Sequence, residues 1–246
     1  MQALADYGQL TSEHIQRLYF PTVSSSSASC RLRLRLLYHH GYVQRKEQPQ
    51  VLTDGRKPLV YFLDTLGART LEEFTSKTFK RADPHINPHL LLINDLRVAV
   101  ATSAQKNGWT VEQWVDERTI RRHNLVVSPD GYFRLVVPLE RERVYHCVVE
   151  CDRGTETLQT FAGKVSAYDT LYNSGKYREV FGATSMRVLV VALSVERMMN
   201  LKSAVEQAGG KSRYFFTTYE DLKGDIFTED IWYLGGKLGK DRFFTP

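Results

Sequence analysis

The sequence predicts an α/β fold, α+β overall, in which a small N-terminal domain precedes a larger domain built on a mixed central sheet. Two observations lead to this prediction. The first 80 residues contain helical patterns followed by two short strand patterns, whereas the rest alternates between strands and helices. Between these parts lies "FKRADPHINPHLL", a proline-containing segment without strong periodicity, which is typical of a connector. The predicted domains are therefore residues 1–80 and 81–246.

Two helices with recognisable ends are predicted near the start of the chain. The segment "LTSEHIQRLYF" offers Thr11 or Ser12 as an N-cap, and Pro21 follows as a stop. A serine run then opens a second helix, which Gly41 ends. The turn between the two helices is short, so we expect them to be neighbours in space.

The second of these helices is rich in arginine. Cys30, Leu34 and Leu37 recur at i, i+4 and i+7 and predict its buried face. Arg31 and Arg35 point away from that face, because each residue turns the helix by about 100°. Arg33 lies on the flank of the same helix.

A basic hairpin is predicted after Gly41. Its strands are "YVQR", which carries Arg45 and is followed by Lys46, and "LVYFL". The dipeptide "DG" in "TDGRKP" is a strong turn signal, and it places Arg56 and Lys57 near the hairpin tip.

Helix, turn, arginine-rich helix and basic hairpin form the layout of a winged helix-turn-helix domain. Such a helix can enter the major groove while the hairpin, the wing, straddles the DNA backbone. The predicted partner is double-stranded DNA, and the net charge of +5 agrees with it. The candidate DNA-binding residues are Arg31, Arg33, Arg35, Arg45, Lys46, Arg56 and Lys57. The alternative is a protein-docking domain whose arginines are merely solvated.

The second part of the chain predicts the element order αβββαβαβ. A helix spans residues 89–106, and the strands "TVEQWV", "GYFRLVV" and "VYHCVVE" follow. The charged stretch "DERTIRRHN" between the first two strands is expected to be irregular. A long amphipathic helix over residues 156–173 then precedes "MRVLVVALS", a further helix and the strand "RYFFTTYEDL".

Carboxylates gather at the predicted strand ends. Asp130 starts the second strand, whereas Glu150 and Asp152 end the third and share a face because strand side chains alternate. Lys164 lies on the flank of the following helix, where it would reach the same edge. Hard oxygen ligands of this kind suit Mg²⁺ or Mn²⁺, so Asp130, Glu150 and Asp152 are the candidate metal ligands. With Lys164 they form the candidate catalytic set, and the alternative is a plain ion pair between Lys164 and an acid.

This order of elements and acids resembles the PD-(D/E)XK nuclease fold. In that motif a lysine stands two residues after the acid; here Asp152 occupies that position, and Lys164 would be a migrated replacement. Cleavage of DNA by a metal-dependent endonuclease mechanism therefore stays open.

The whole chain resembles the replication-relaxation family, in which a winged helix precedes a nuclease-like domain. The segments that carry this resemblance are "LTSEHIQRLYF", "LRLLYHHGYVQR", "HLLLINDLRVA", "SPDG", "VVECDRGTETLQTFAGKVSAY" and "MRVLVVALS". It implies a DNA-associated accessory factor in the replication or transfer of a plasmid or other mobile element. A replicative helicase or relaxase of the element is a further candidate partner, and a homodimer is a candidate assembly. The alternatives are a winged-helix transcriptional regulator and a helicase-recruiting adaptor with an inactive second domain.

The remaining features point to an ordinary globular chain. No apolar stretch approaches the roughly 20 residues that span a bilayer, so no membrane partner is expected. The three cysteines form no CxxC pair, which argues against a disulfide framework or a zinc knuckle. The N-terminus lacks the pattern of a secretory signal, and the expected compartment is the cytoplasm.

Overall fold

A computed structural model describes residues 1–20, 26–49 and 57–244 of the chain. It divides into two compact units, Met1–Val98 and Ala99–Pro246, named unit 1 and unit 2 here. The division falls inside a helix, Pro88–Lys106, whereas the sequence predicts a boundary at residue 80 in the preceding connector. No helix among the described residues is long and apolar enough to cross a membrane.

Unit 1 combines short helices with a small antiparallel sheet. Its elements before the dividing helix are α1 (Gln2–Tyr7), β1 (Leu10–Thr11), α2 (Ser12–Tyr19), α3 (Ser26–His39), β2 (Val43–Lys46), β3 (Val60–Leu63) and α4 (Thr65–Thr75). The strands lie in the order β1-β3-β2. Helix α3 therefore leads directly into the β2–β3 hairpin, in the order predicted for a helix-turn-helix domain with a wing. The predicted hairpin tip, including Arg56, lies outside the described residues.

The ends of α2 and α3 follow from local hydrogen bonds. The side chain of Thr11 accepts from the backbone N–H of His14, and the His14 ring accepts from the N–H of Thr11, which forms a capping box. At the end of α3, Gly41 has a φ of 74°. The N–H of Tyr42 donates to the carbonyl of Leu37 at 2.9 Å, and the N–H of Gly41 donates to the carbonyl of Tyr38 at 3.1 Å. These two hydrogen bonds form a Schellman motif. The predicted start of α2 at Thr11 and the predicted end of α3 at Gly41 are thereby confirmed.

Unit 2 is built on the mixed sheet that the sequence predicts. After the dividing helix α5 (Pro88–Lys106), its elements are β4 (Thr110–Asp116), α6 (Glu117–Arg121), β5 (Gly131–Val137), β6 (Arg143–Cys151), α7 (Leu158–Asn173), α8 (Lys176–Phe181), β7 (Arg187–Ala192), α9 (Val195–Gln207), β8 (Tyr214–Thr218), a 3₁₀ turn (Asp221–Lys223) and β9 (Tyr233–Leu234). The strands lie in the order β4-β5-β6-β7-β8-β9. Pairs β6–β7 and β7–β8 are parallel, whereas the other pairs are antiparallel.

One prediction about this unit is wrong. The stretch "DERTIRRHN" is not irregular throughout, because α6 forms within it. The carboxylate of Asp116 accepts from the backbone N–H of Thr119 at 2.7 Å and caps this helix. Ile120 then buries its side chain completely, which fixes the helix against the sheet.

The core of unit 2 determines which way α7 faces. Phe161, Val165, Tyr168 and Leu171 are buried. The first three belong to the apolar side that the sequence predicts, together with Leu158 and Tyr172, which are partly buried. They pack in one cluster with Val148 and Val190 of the sheet and with residues of α9. Lys164, which precedes Val165 on this helix, is half-buried beside that face.

Candidate functional site

The strand register brings Asp130 and Glu150 to one edge of the sheet. Gly131 pairs with Val149 in the antiparallel β5–β6 ladder, so the residues just beyond this pair adjoin. The N–H of Asp130 donates to the carbonyl of Val149 at 2.9 Å. In return, the carboxylate of Asp130 accepts from the N–H of Cys151 at 2.7 Å. Asp130 is therefore anchored beside the end of β6.

Glu150 is a buried carboxylate held by two residues of α7. Only 3% of the residue is exposed. Its Oε2 lies 2.8 Å from Nζ of Lys164, and its Oε1 accepts from the hydroxyl of Tyr168 at 2.5 Å. Lys164 and Tyr168 are four residues apart, one helical turn, so a single face of α7 supplies both partners. The sequence predicts this proximity of Lys164 to the strand end.

Lys164 joins two carboxylates. Besides Glu150, its ammonium lies 3.0 Å from Oε2 of Glu156. The nitrogen also lies 4.9 Å from the centre of the Phe161 ring, so the aromatic side chain covers part of the lysine. The cation is thus fixed by contacts on several sides rather than free in solvent.

Burial and neighbouring charges together set the pKa values of these groups. Burial raises the pKa of Glu150 to about 7; Lys164 opposes this shift and Asp130 adds to it. Burial also lowers the pKa of Lys164, but Glu150 and Glu156 outweigh it, so the ammonium pKa is raised overall. The Tyr168 hydroxyl, buried beside Glu150, has its pKa raised well above the ordinary value. The pair therefore combines a lysine whose charged form is favoured with a carboxyl whose neutral form is favoured relative to a solvated one.

Asp152 has a separate partner, Arg197 of α9. The guanidinium binds both carboxylate oxygens, with Nε–Oδ2 at 2.8 Å and an Nη–Oδ1 distance of 2.9 Å. It also donates to the carbonyl of Glu156, and the N–H of Gly154 donates to Asp152 at 3.0 Å. Sequence reasoning missed Arg197. The available signal was its place in the first turn of α9, after the N-cap Ser194.

The predicted carboxylates are therefore not equivalent. Asp130, Glu150 and Lys164 form one neighbourhood, whereas both oxygens of Asp152 are engaged by an arginine. Among the described residues, no group of three or more His, Cys, Asp or Glu is placed to hold a metal ion. Asp152 would serve as a metal ligand only after Arg197 released it.

The second candidate site is the solvent face of α3 in unit 1. Cys30 and Leu34 are buried at 1% and 3% exposure, which fixes the inner side of this helix. Arg31, Arg33 and Arg35 are all exposed. Within the described part of the chain, none of the three forms an ion pair with an acidic side chain.

The hairpin adds cations next to α3. Arg45 and Lys46 are exposed on β2, and the Arg45 guanidinium lies 4.2 Å from the centre of the Tyr38 ring at the end of α3. Lys57 is half-buried at the other side of the hairpin. No Asp or Glu occurs between Glu13 and Glu47. The segment that contains α3 and β2 therefore carries arginine and lysine but no acidic residue.

Comparison with known proteins identifies one family. A family model described as replication-relaxation matches residues 1–184, which include all of unit 1 and the segment from β4 to α8. No curated protein and no solved structure matches the chain.

Proposed function

The chain belongs to the replication-relaxation family, and we propose that it binds double-stranded DNA as an accessory factor in the replication or transfer of a mobile element. In this proposal α3 lies in the major groove and the β2–β3 hairpin lies along the backbone.

One observation carries the proposal: the arginines of α3 are exposed and have no acidic partner among the described residues. An arginine that already forms an ion pair must give up that partner before it binds a phosphate. Arg31, Arg33 and Arg35 have no such cost within the described residues, and the absence of acids from residues 14 to 46 removes local repulsion of a polyanion. Phosphate contacts of this kind supply most of the affinity of a protein for duplex DNA.

The contact between Arg45 and Tyr38 supports the same interface. It connects the hairpin to the C-terminal end of α3, because the guanidinium stacks on the ring at 4.2 Å. A helix and a hairpin that are coupled in this way present their cations as one surface. This is the arrangement needed when a recognition helix and a wing contact the same duplex.

The experiment is a fluorescence anisotropy titration of a labelled duplex with the full chain at graded salt concentrations. We expect binding whose log K falls linearly with log salt, with a slope near −3 for roughly three or four phosphate contacts. A chain that leaves the duplex unbound at low salt would contradict the proposal. Retention of a helicase by that same chain would instead support the docking adaptor.

A second candidate function is hydrolysis of a phosphodiester by unit 2. The Lys164–Glu150 contact alone is the plain ion pair given as the alternative above, and the observation that favours catalysis is the position of Asp130 beside this pair. Asp130 and Glu150 supply neighbouring carboxylates of the type that Mg²⁺ and Mn²⁺ prefer. Both oxygens of Glu150 accept from Lys164 and Tyr168, and both oxygens of Asp152 bind Arg197, so an ion would have to displace a donor at either residue. A divalent ion held by Asp130 and Glu150 would provide Lewis-acid activation of the phosphodiester.

The residues of the chain would have distinct roles in that reaction. Lys164 places a positive charge at the sheet edge, where it can neutralise charge that develops on a phosphate. Tyr168 orients Glu150 through its hydrogen bond and excludes water from the buried oxygen. Arg197 fixes the loop after β6 by holding Asp152 and the Glu156 carbonyl.

Cleavage of plasmid DNA with Mn²⁺ present tests this second function. Lys164→Ala should abolish cleavage and leave DNA binding intact, since the lysine lies outside unit 1. Lys176→Ala, which removes an exposed lysine paired with Glu179 in the same unit, is the matched control and should cleave normally. Equal cleavage by the wild type and Lys164→Ala would exclude the lysine from the chemistry.

A further inference from the structure

The outermost side of α3 is aliphatic rather than charged. Leu32 and Leu36 are 48% and 45% exposed, although leucine side chains usually lie inside a domain. They are four residues apart, so they lie one above the other on the same side of the helix. This side faces away from the buried Cys30 and Leu34.

The cations of α3 flank this aliphatic strip. With about 100° between successive residues, Arg31 and Arg35 lie on one side of the two leucines and Arg33 lies on the other. A helix in the major groove has the same arrangement around it: base edges face its outermost side, and a phosphate backbone lies along each flank. The positions of charge and apolar surface on α3 therefore match a duplex with apolar groups on its groove floor.

Thymine is the base that offers such a group. Its 5-methyl group projects into the major groove, whereas the other three bases present hydrogen-bond donors and acceptors there. Leucine side chains form no hydrogen bonds, so they gain nothing from the polar edges of a G·C pair. We propose that Leu32 and Leu36 contact thymine methyl groups. The preferred DNA site of this chain therefore has A·T pairs where α3 meets the floor of the major groove. This inference rests on the proposed binding of DNA by α3.

The test compares two duplexes that differ only in the methyl group: one with thymine, and one with uracil at every thymine position. Both pair normally with adenine. The full wild-type chain should bind the uracil duplex more weakly, by roughly four-fold for each methyl group that a leucine would otherwise cover, the equivalent of ~0.8 kcal/mol. Fluorescence anisotropy at a single salt concentration measures both affinities.

Two pairs of substitutions separate the leucines from the arginines. Leu32→Ala with Leu36→Ala should abolish the difference between the duplexes and leave the salt dependence unchanged. Arg31→Ala with Arg35→Ala should weaken binding to both duplexes and keep their ratio. All four side chains are exposed, so far-ultraviolet circular dichroism should show the native fold in both variants.

Each outcome has a definite meaning. Equal binding of the two duplexes by the wild type would overturn the inference while leaving the DNA-binding proposal in place. A difference that persists in the leucine variant would overturn it as well, because the discrimination would then come from DNA shape. Failure to bind either duplex would overturn the DNA-binding proposal and this inference with it.

Discussion

The ammonium nitrogen of Lys164 lies 2.8 Å from Oε2 of Glu150, which joins α7 to the end of strand β6. The carboxylate is almost completely buried, whereas 28% of the lysine side chain is exposed. A buried charge of this kind is costly unless it is paired and hydrogen-bonded. The lysine and Tyr168 meet that requirement only in part, because the pKa of Glu150 still rises to about 7.

The first prediction concerns pH and the stability of unit 2. The pKa of Glu150 is raised on folding, so its stabilising contribution is complete below its ordinary value of 4.5 and is lost as pH rises through about 7. The Glu150→Gln variant carries an amide at this position, which does not ionise in this pH range. The free energy of unfolding of the variant relative to the wild type should therefore increase between pH 4.5 and pH 7. The full change is roughly 3 kcal/mol.

Urea denaturation at several pH values measures this difference. The matched control is Glu179→Gln, which alters an exposed carboxylate that pairs with Lys176 in the same unit. Its stability relative to the wild type should stay nearly constant over the same interval. A constant difference for Glu150→Gln as well would show that the buried carboxyl keeps an ordinary pKa.

The second prediction concerns divalent ions. If Asp130 and Glu150 bind Mn²⁺ in the folded chain only, the melting temperature should rise with Mn²⁺ concentration. At about ten times the Kd, the free energy of unfolding should increase by about 1.4 kcal/mol. Glu150→Gln should abolish this rise because it keeps the size of the side chain and removes its charge. Differential scanning fluorimetry provides the measurement. A wild-type melting curve that Mn²⁺ leaves unchanged would contradict the metal site and leave Glu150 as the partner of Lys164 in a plain ion pair.

The third prediction concerns Arg197. Its removal in Arg197→Met leaves the carboxylate of Asp152, whose side chain is 2% exposed, without its bidentate partner. We expect a loss of roughly 3 kcal/mol in the free energy of unfolding, because an unpaired buried charge is strongly destabilising. The double variant with Asp152→Asn should recover part of this loss, since the amide carries no charge. Equal stability of the single and double variants would show that the unpaired Asp152 carboxylate carries no energetic cost.

The contact of Lys164 with Glu150 could be predicted because both of its determinants are local. The spacing of Phe161, Val165 and Tyr168 determines which side of α7 is buried, and alternation along β6 determines where Glu150 points. The partner of Asp152 could not be predicted in this way. Arg197 lies 45 residues further along the chain, and its position depends on how the helix after β7 packs against the sheet.

Helix α6 was missed for a different reason. It is only five residues long, and its charged sequence has no apolar periodicity beyond Ile120. Its formation depends on the cap from Asp116, the first residue of the same charged stretch. The Schellman motif that ends α3 could be predicted from Gly41. The stacking of Arg45 on Tyr38 could not, because it depends on how the hairpin folds back.

The measurement that tests the central claim most directly is the salt dependence of DNA binding by Arg31→Ala with Arg35→Ala. The matched control is Arg141→Ala with Arg143→Ala, which removes two exposed arginines from unit 2. The arginine variant of α3 should bind the duplex more weakly and reduce the salt slope by about two units, or ~0.9 for each phosphate contact, while the control keeps the wild-type affinity and slope. Wild-type affinity and slope in the α3 variant would contradict the assignment of α3 to the DNA surface.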